Sequence, residues 1–282
     1  MKLLVGIDGA EGGRDALALA RELAAGEGDA TIVLGHVAAG ERRPTRASNL
    51  AYDATIRADG VALLELERER TGLDTAAIEV TEAETPGIGL QHLAERTSAD
   101  LVVVGTSRRR SLARILGGDD ARATVRAAGV PVAVAPREHA GTEHRIARIG
   151  VGFDETPEAG AALAFARAAA RRHGASIDIV EAIEVATWLV DPAVAPALAS
   201  DAELRRASAQ ERLAALDGVH ATARTGLVLS EMLALGATVD LLIVGWRPHG
   251  PVERFFEGST GESLSHDPPC PVVVVPAPQA AG

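Results

Sequence analysis

The sequence predicts an α/β fold built twice: two tandem doubly wound domains, each a parallel sheet flanked by helices. Three observations carry this expectation. The stretches Asp100 to Pro136 and Asp240 to Pro276 are one pattern written twice, 140 positions apart, and they align without a gap. Each half alternates apolar runs of strand length with segments of helical period, the arrangement of parallel strands joined by crossover helices. A chain of 282 residues, 47% of them apolar, can bury two ordinary cores. A repeating unit of about 140 residues is a normal domain size. The domains are therefore placed at 1–138 and 144–278, with the polar segment 137–145, which contains Gly141, as the linker between them.

The elements follow in chain order. Lys2 to Ile7 is an apolar run, read as the first strand. The helix after it, Gly12 to Ala25, is set by Ala16, Leu17, Ala20, Leu23 and Ala24, which fall three and four residues apart and form one stripe. A second strand occupies Ala30 to Val37. The second copy places Ala162, Leu163, Ala166, Ala169 and Ala170 on the same stripe, between strands Ile146 to Gly152 and Ala175 to Ala182. Alanine on these faces predicts close helix-to-sheet packing. A polar helix comes next (Thr55 to Arg70; Asp201 to Leu216), then a short strand (Ala77 to Thr81; Val219 to Thr225) and a third helix (Gly87 to Thr97; Leu227 to Gly236). The fourth strand, Leu101 to Val104 or Leu241 to Val244, is led by an Asp and ends at Gly105 or Gly245. A further helix and the strands Pro131 to Pro136 and Pro271 to Pro276 close the copies. The flanking prolines blunt edge growth, so these two strands are expected to pair with each other within the chain. Ligands in such sheets bind beyond the strand C-termini. That rule points to Asp8 and Gly105 in the first copy and to Asp154 and Gly245 in the second.

Composition excludes several function classes. The net charge of −11 argues against nucleic acid as a partner, because phosphate neutralisation needs a basic surface. Arg108, Arg109, Arg110 and Arg114 are a local exception, read as a solvated loop face. The longest apolar runs are far shorter than a bilayer span, and the opening MKLLVGIDGA lacks a signal-peptide layout, so the expected location is cytoplasmic. A lone Cys270 cannot form an internal disulfide and reads as a small core residue. His139 and His144 share the linker and read as a solvated pair, not a metal site. There is no G-x-S-x-G elbow, no H-E-x-x-H and no P-loop lysine, and Gly150-Val-Gly152 is an incomplete dinucleotide fingerprint. The chain is expected to act without catalytic turnover, and no metal is expected.

A strand ending in Asp and followed by a helix, with a later strand-Gly-x-x-Gly-nine residues-Gly-[Ser/Thr]-helix-Pro-Val-strand, resembles the universal stress protein family in its tandem form, over both repeats. The resemblance implies a five-stranded parallel sheet of order 3-2-1-4-5, dimer-like pairing through the last strands, a homodimer as one assembly open to the chain, and, in one subset of members, bound ATP. It places the Asp after the first strand, Asp154, against the nucleoside, and the end of strand two, Glu181 and Ala182, along the base. The glycine pattern has a physical logic: small residues let backbone N–H groups wrap phosphate oxygens, and the hydroxyl residue opens a helix whose positive end attracts anions.

The two copies differ in that pattern. In the first, Gly105 and Gly118 stand in place, but Arg108 takes the middle glycine position and Asp119 the hydroxyl position. Asp119 caps the helix with its own charge, worth roughly 1 kcal/mol, and with Asp120 it opposes a triphosphate. In the second, Gly245, Gly258 and Ser259 match, with Thr260 behind; Pro248 replaces the middle glycine, and proline has neither a donor nor a glycine's torsions. Asp154 leads into Thr156-Pro157-Glu158, a capped helix start, whereas Asp8 leads into Gly9-Ala10. An adenine nucleotide, ATP, is therefore expected in the second repeat alone. Trp246, Phe255 and Phe256, three of seven aromatic residues, crowd the same loop as a stacking wall, a plug or a contact patch for a protein partner. Two functions follow: a stress-response protein acting by binding, with ATP in the second repeat, or a nucleotide-free scaffold that recruits partners through those aromatics.

Overall fold

A computed structural model describes residues 1–26, 28–39, 50–106, 130–141, 144–184, 195–246 and 268–277. Among them the chain divides into two compact units, one ending at His144 and the other starting at Arg145.

The first unit runs β1 (Lys2–Gly6), α1 (Glu11–Ala24), β2 (Thr31–Ala39), α2 (Leu50–Thr71), β3 (Ala77–Ala83), α3 (Pro86–Thr97), β4 (Leu101–Gly105) and β5 (Val132–Ala135). Its strands are parallel and lie in the order β3-β2-β1-β4-β5. The second unit repeats this with β6 (Arg148–Gly152), α4 (Pro157–His173), β7 (Ser176–Ile183), α5 (Ala195–Leu213), β8 (His220–Thr225), α6 (Val228–Gly236), β9 (Leu241–Gly245) and β10 (Val272–Val275). Its order is β10-β9-β6-β7-β8, the same 3-2-1-4-5 topology. The helix expected between β4 and β5, and its counterpart between β9 and β10, lie outside the described residues.

The elements form for the local reasons the sequence suggests. On α1 the buried face is Ala16, Leu17, Ala20 and Leu23, joined by Leu19 and Asp15. On α4 it is Ala159, Ala162, Leu163, Ala166 and Ala169. Thr156 starts α4 by accepting from the Ala159 N–H at 3.3 Å with Pro157 as the first helical residue, and Thr85 with Pro86 starts α3 in the same way. Ala10 precedes α1 without a side-chain cap. The Asp that leads each fourth strand holds the sheet's N-terminal edge. Asp100 accepts from the Lys2 N–H at 2.7 Å, and Asp240 accepts from the N–H groups of Ala147 and Arg148 at 2.8 Å each. Cys270 is buried as expected, and burial pushes its thiol up to about 12. No described helix is long and apolar enough to cross a membrane.

The linker histidines differ from the expected solvated pair. His139 is buried, in a short 3-10 turn (His139–Gly141), while His144 is exposed. The His139 Nε2 lies 3.0 Å from Glu22 Oε2, its ring stacks on His144 at 4.4 Å, and the neighbouring Ala140 N–H donates to Asp15 Oδ1 at 2.9 Å. The reason lies on α1: Asp15 sits amid an apolar stripe, where a buried carboxylate needs a donor, and the turn supplies it.

Strand β8 borders the second sheet, and Gln210 of α5 covers part of its open side. Its side-chain amide donates to the Ala221 carbonyl at 3.1 Å and accepts from the Ala223 N–H at 2.9 Å. Gln210 thus occupies the hydrogen-bonding slot a neighbouring strand would fill, one way to protect an edge. Gln210→Ala should lower the unfolding free energy by about 1–2 kcal/mol, the cost of leaving these two backbone groups without protein partners. Urea titration followed by far-UV circular dichroism measures it, and an unchanged midpoint would mean that water replaces the amide at no cost.

Candidate functional site

The site is built at the C-terminal ends of the first, second and fourth strands of each unit. In the first unit the chain leaves β1 through Asp8, whose Oδ1 accepts from the Ala10 N–H at 3.0 Å. A cleft opens there, walled by Gly6, Asp8, Gly13, Gly35, Leu90 and Gly105. Glycine keeps its floor low.

In the second unit the corresponding turn is acidic. Asp154 Oδ1 accepts from the Thr156 N–H at 3.3 Å and the Thr156 hydroxyl at 2.5 Å, so the cap residue of α4 also orients this carboxylate. Glu155 has φ +59, at the position where the first repeat has Gly9 with φ +78. A side chain in this left-handed region costs about 1 kcal/mol. The Glu155 carboxylate is held by Arg212 of α5, with Nε to Oε2 at 2.8 Å.

Arg212 also reaches Glu181 on β7, Nη2 to Oε1 at 3.2 Å. Glu181 is 7% exposed, and its other oxygen, Oε2, is buried without a hydrogen-bond partner among the described residues. Burial raises its pKa; Arg212 opposes that rise, and the charges of Glu155 and Asp154 add to it. The register shows what Glu181 replaces. Gly6 pairs with Gly35 and Gly152 with Val180, so His36 and Glu181 occupy the same place in the two sheets. His36 satisfies its Nδ1 with the Ile7 carbonyl at 2.8 Å, whereas Glu181, an acceptor, depends on an arginine. Ala182 follows on β7, in register with Arg224.

The glycines ending the fourth strands have a packing role of their own. A Cβ on Gly105 would lie 1.9 Å from the Gly12 carbonyl oxygen, and one on Gly245 would lie 2.6 Å from the Glu158 carbonyl carbon and 2.8 Å from the Ala159 nitrogen. Each glycine admits the first turn of the helix that packs on its sheet. Trp246, the next residue after Gly245, is 2% exposed, with its indole N–H buried and without a partner among the described residues. This corrects its expected role as an exposed protein-contact residue: Trp246 is a buried side chain.

Of the expected site residues, Glu181 pairs with Arg212 and feels the charge of Asp154, Ala182 follows Glu181 on β7, and Gly245 packs against α4. Gly258, Ser259 and Thr260 lie outside the described residues, as do Arg108, Gly118, Asp119, Asp120, Pro248, Phe255 and Phe256. The sequence reading missed Glu155 and Arg212. The Gly9-to-Glu155 exchange was visible in the aligned repeats, but the partner on a polar helix was not. Among the described residues no group of three or more His, Cys, Asp or Glu could hold a metal ion.

The comparisons with known proteins agree across the chain. The sequence profile of the Universal stress protein family matches residues 1–136 and 145–276. A universal stress protein of Mycobacterium tuberculosis is 26% identical over 199 residues, covering 67% of this chain and 68% of that protein. One from Thermus aquaticus is 33% identical over 131 residues, 44% of this chain and 95% of its own length. Among solved structures, a universal stress protein from Archaeoglobus fulgidus superimposes with a TM-score of 0.63 at 18% identity, covering 99% of this chain and 97% of its own.

Proposed function

Because this chain belongs to the universal stress protein family through both of its repeats, we propose that it serves a stress response by binding, not by turnover, and that an adenine nucleotide, ATP, binds in the second repeat. The observation that carries this reading is the buried, unpartnered Oε2 of Glu181 beside Asp154 at the strand C-termini. An unpaired buried acceptor invites a donor, and the exocyclic amine of adenine supplies one. Asp154, oriented by Thr156, would take a ribose hydroxyl. The backbone at Gly258, with the hydroxyls of Ser259 and Thr260, would take the phosphates.

One observation favours the other reading, a nucleotide-free scaffold. Glu155 and Glu181 share the guanidinium of Arg212, and Asp154 adds a further negative charge that acts on Glu181, so the mouth of this site repels a polyanion. The experiment that separates the two is mass spectrometry of small molecules released by denaturing freshly purified protein. Near-stoichiometric adenine nucleotide, lost in Gly258→Asp, is the expected result. No nucleotide, together with no thermal shift at millimolar ATP, would transfer the function to the scaffold reading.

A further inference from the structure

We propose that the first repeat carries a second ligand site, a groove on α1 that takes a small phosphate-bearing anion and is separate from the strand ends. The groove has a volume of about 530 Å³. It runs between the outer face of α1, the C-terminal turn of α2 and the turn before the second repeat, and it shares no lining residue with the cleft at the strand ends. That size is in the range of small-molecule sites, roughly 300–1,000 Å³.

The lining explains the choice of ligand. Arg14, Ala18 and Arg21 follow one another at helical spacing on α1, so two guanidiniums flank a floor kept low by alanine. Arg70, in the last turn of α2, is the third. These three charges are poorly neutralised. Arg21 spends a donor on the Thr71 carbonyl, which is uncharged. Arg70 has one carboxylate near it, Glu67 at 3.7 Å, and Arg14 has no ion-pair partner among the described residues. Of the carboxylates in the lining, Asp15 is buried and already accepts from the Ala140 N–H, while Glu11 and Glu138 form no ion pair with these arginines. In a chain of net charge −11, three arginines lining one groove with a single long ion pair among them, Arg70 to Glu67, leave guanidinium donors open to a bound anion. Guanidinium forks match phosphate oxygens in pairs, which favours phosphate over a single carboxylate.

The test uses the full-length chain and pyrophosphate as the probe, titrated calorimetrically at low salt. The wild type should bind with a Kd below about 1 mM, more weakly as salt is added. Arg14→Ala combined with Arg70→Ala should weaken binding by about tenfold or more. Ala18→Phe, which fills the floor, should do the same while the melting temperature without ligand stays within about 2 °C. In a Gly258→Asp background, which removes the strand-end phosphate site of the second repeat, pyrophosphate binding should persist and should fall when Arg14→Ala and Arg70→Ala are added, so failure of the nucleotide reading leaves this result intact. The site is overturned by no heat of binding to the wild type, by wild-type affinity in the arginine and Ala18 variants, or by loss of all pyrophosphate binding in Gly258→Asp. Citrate binding in place of pyrophosphate would overturn the phosphate assignment.

Discussion

Replacing Gly105 by alanine is expected to unfold the first repeat under conditions where the wild type is folded. The added methyl would sit 1.9 Å from the carbonyl oxygen of Gly12 and 2.5 Å from its carbonyl carbon, both backbone atoms at the start of α1. A flexible side chain could swing aside; a helix turn cannot. Relief requires α1 to move away from β4, which opens the layer where Ala16 and Ala20 are fully buried. Overpacking of this kind costs about 1–3 kcal/mol, and lost helix-to-sheet contact adds to it, so a total above about 3 kcal/mol is expected. Gly245→Ala should show a smaller loss for the same reason, its nearest contact being 2.6 Å, and Gly28→Ala, with nothing within 4 Å, is the neutral control. Both tryptophans, Trp188 and Trp246, belong to the second half of the chain. Tryptophan fluorescence therefore reports the second repeat, and far-UV circular dichroism reports both. Early loss of helical signal in Gly105→Ala, ahead of the fluorescence change, supports the packing role. A wild-type denaturation curve would return these glycines to a purely ligand-binding explanation.

The second large effect is expected from Glu181→Gln, and it depends on pH. Burial raises the pKa of Glu181 in the folded chain above its unfolded value, so folding favours the protonated acid. The stability this group contributes is fully present below the unfolded pKa, near the ordinary glutamate value, and is lost as pH rises through the folded pKa. Glutamine cannot ionise and its amide adds a donor, so the variant avoids that loss. Above neutral pH Glu181→Gln should be more stable than the wild type, and the difference should shrink as pH falls toward 4.5. Arg212 keeps Glu155 as its partner, which limits the damage of removing one charge. Urea midpoints of both proteins across this pH range provide the measurement. A variant destabilised equally at every pH would show that the Arg212 pair outweighs the burial of the unpartnered oxygen. If adenine binds against Glu181, ATP should also lose affinity in the variant, independently of the stability change.

Much of the fold was legible because its signals are local. The apolar stripes of α1 and α4 fall within single helices, Thr156-Pro157 announces its own helix start, and the 140-residue offset needs no contact to be seen. His139 reads as solvated because its partners and those of its turn lie far along the chain. An Asp inside an apolar stripe looks like an exception until a turn 125 residues later brings the Ala140 N–H to it. Trp246 was read as one of a group of loop aromatics, whereas its burial depends on how tightly β9 is covered, a quantity that no spacing encodes. Gly105 and Gly245 were read for phosphate, and the close approach of a helix turn gives each a second, independent reason to be glycine.

The sequence by itself determined the repetition, the parallel α/β alternation, the strand ends where chemistry can occur and the family these features belong to. The tertiary structure alone decided the character of the second site. Asp154, Glu155, Glu181 and Arg212 come from a turn, a strand and a helix spread over almost sixty positions, and their charges acquire meaning only when the fold brings Arg212 to Glu155 at 2.8 Å and to Glu181 at 3.2 Å, with Asp154 acting on Glu181. Periodicity is a property of neighbours along the chain; electrostatics and burial are properties of neighbours in space.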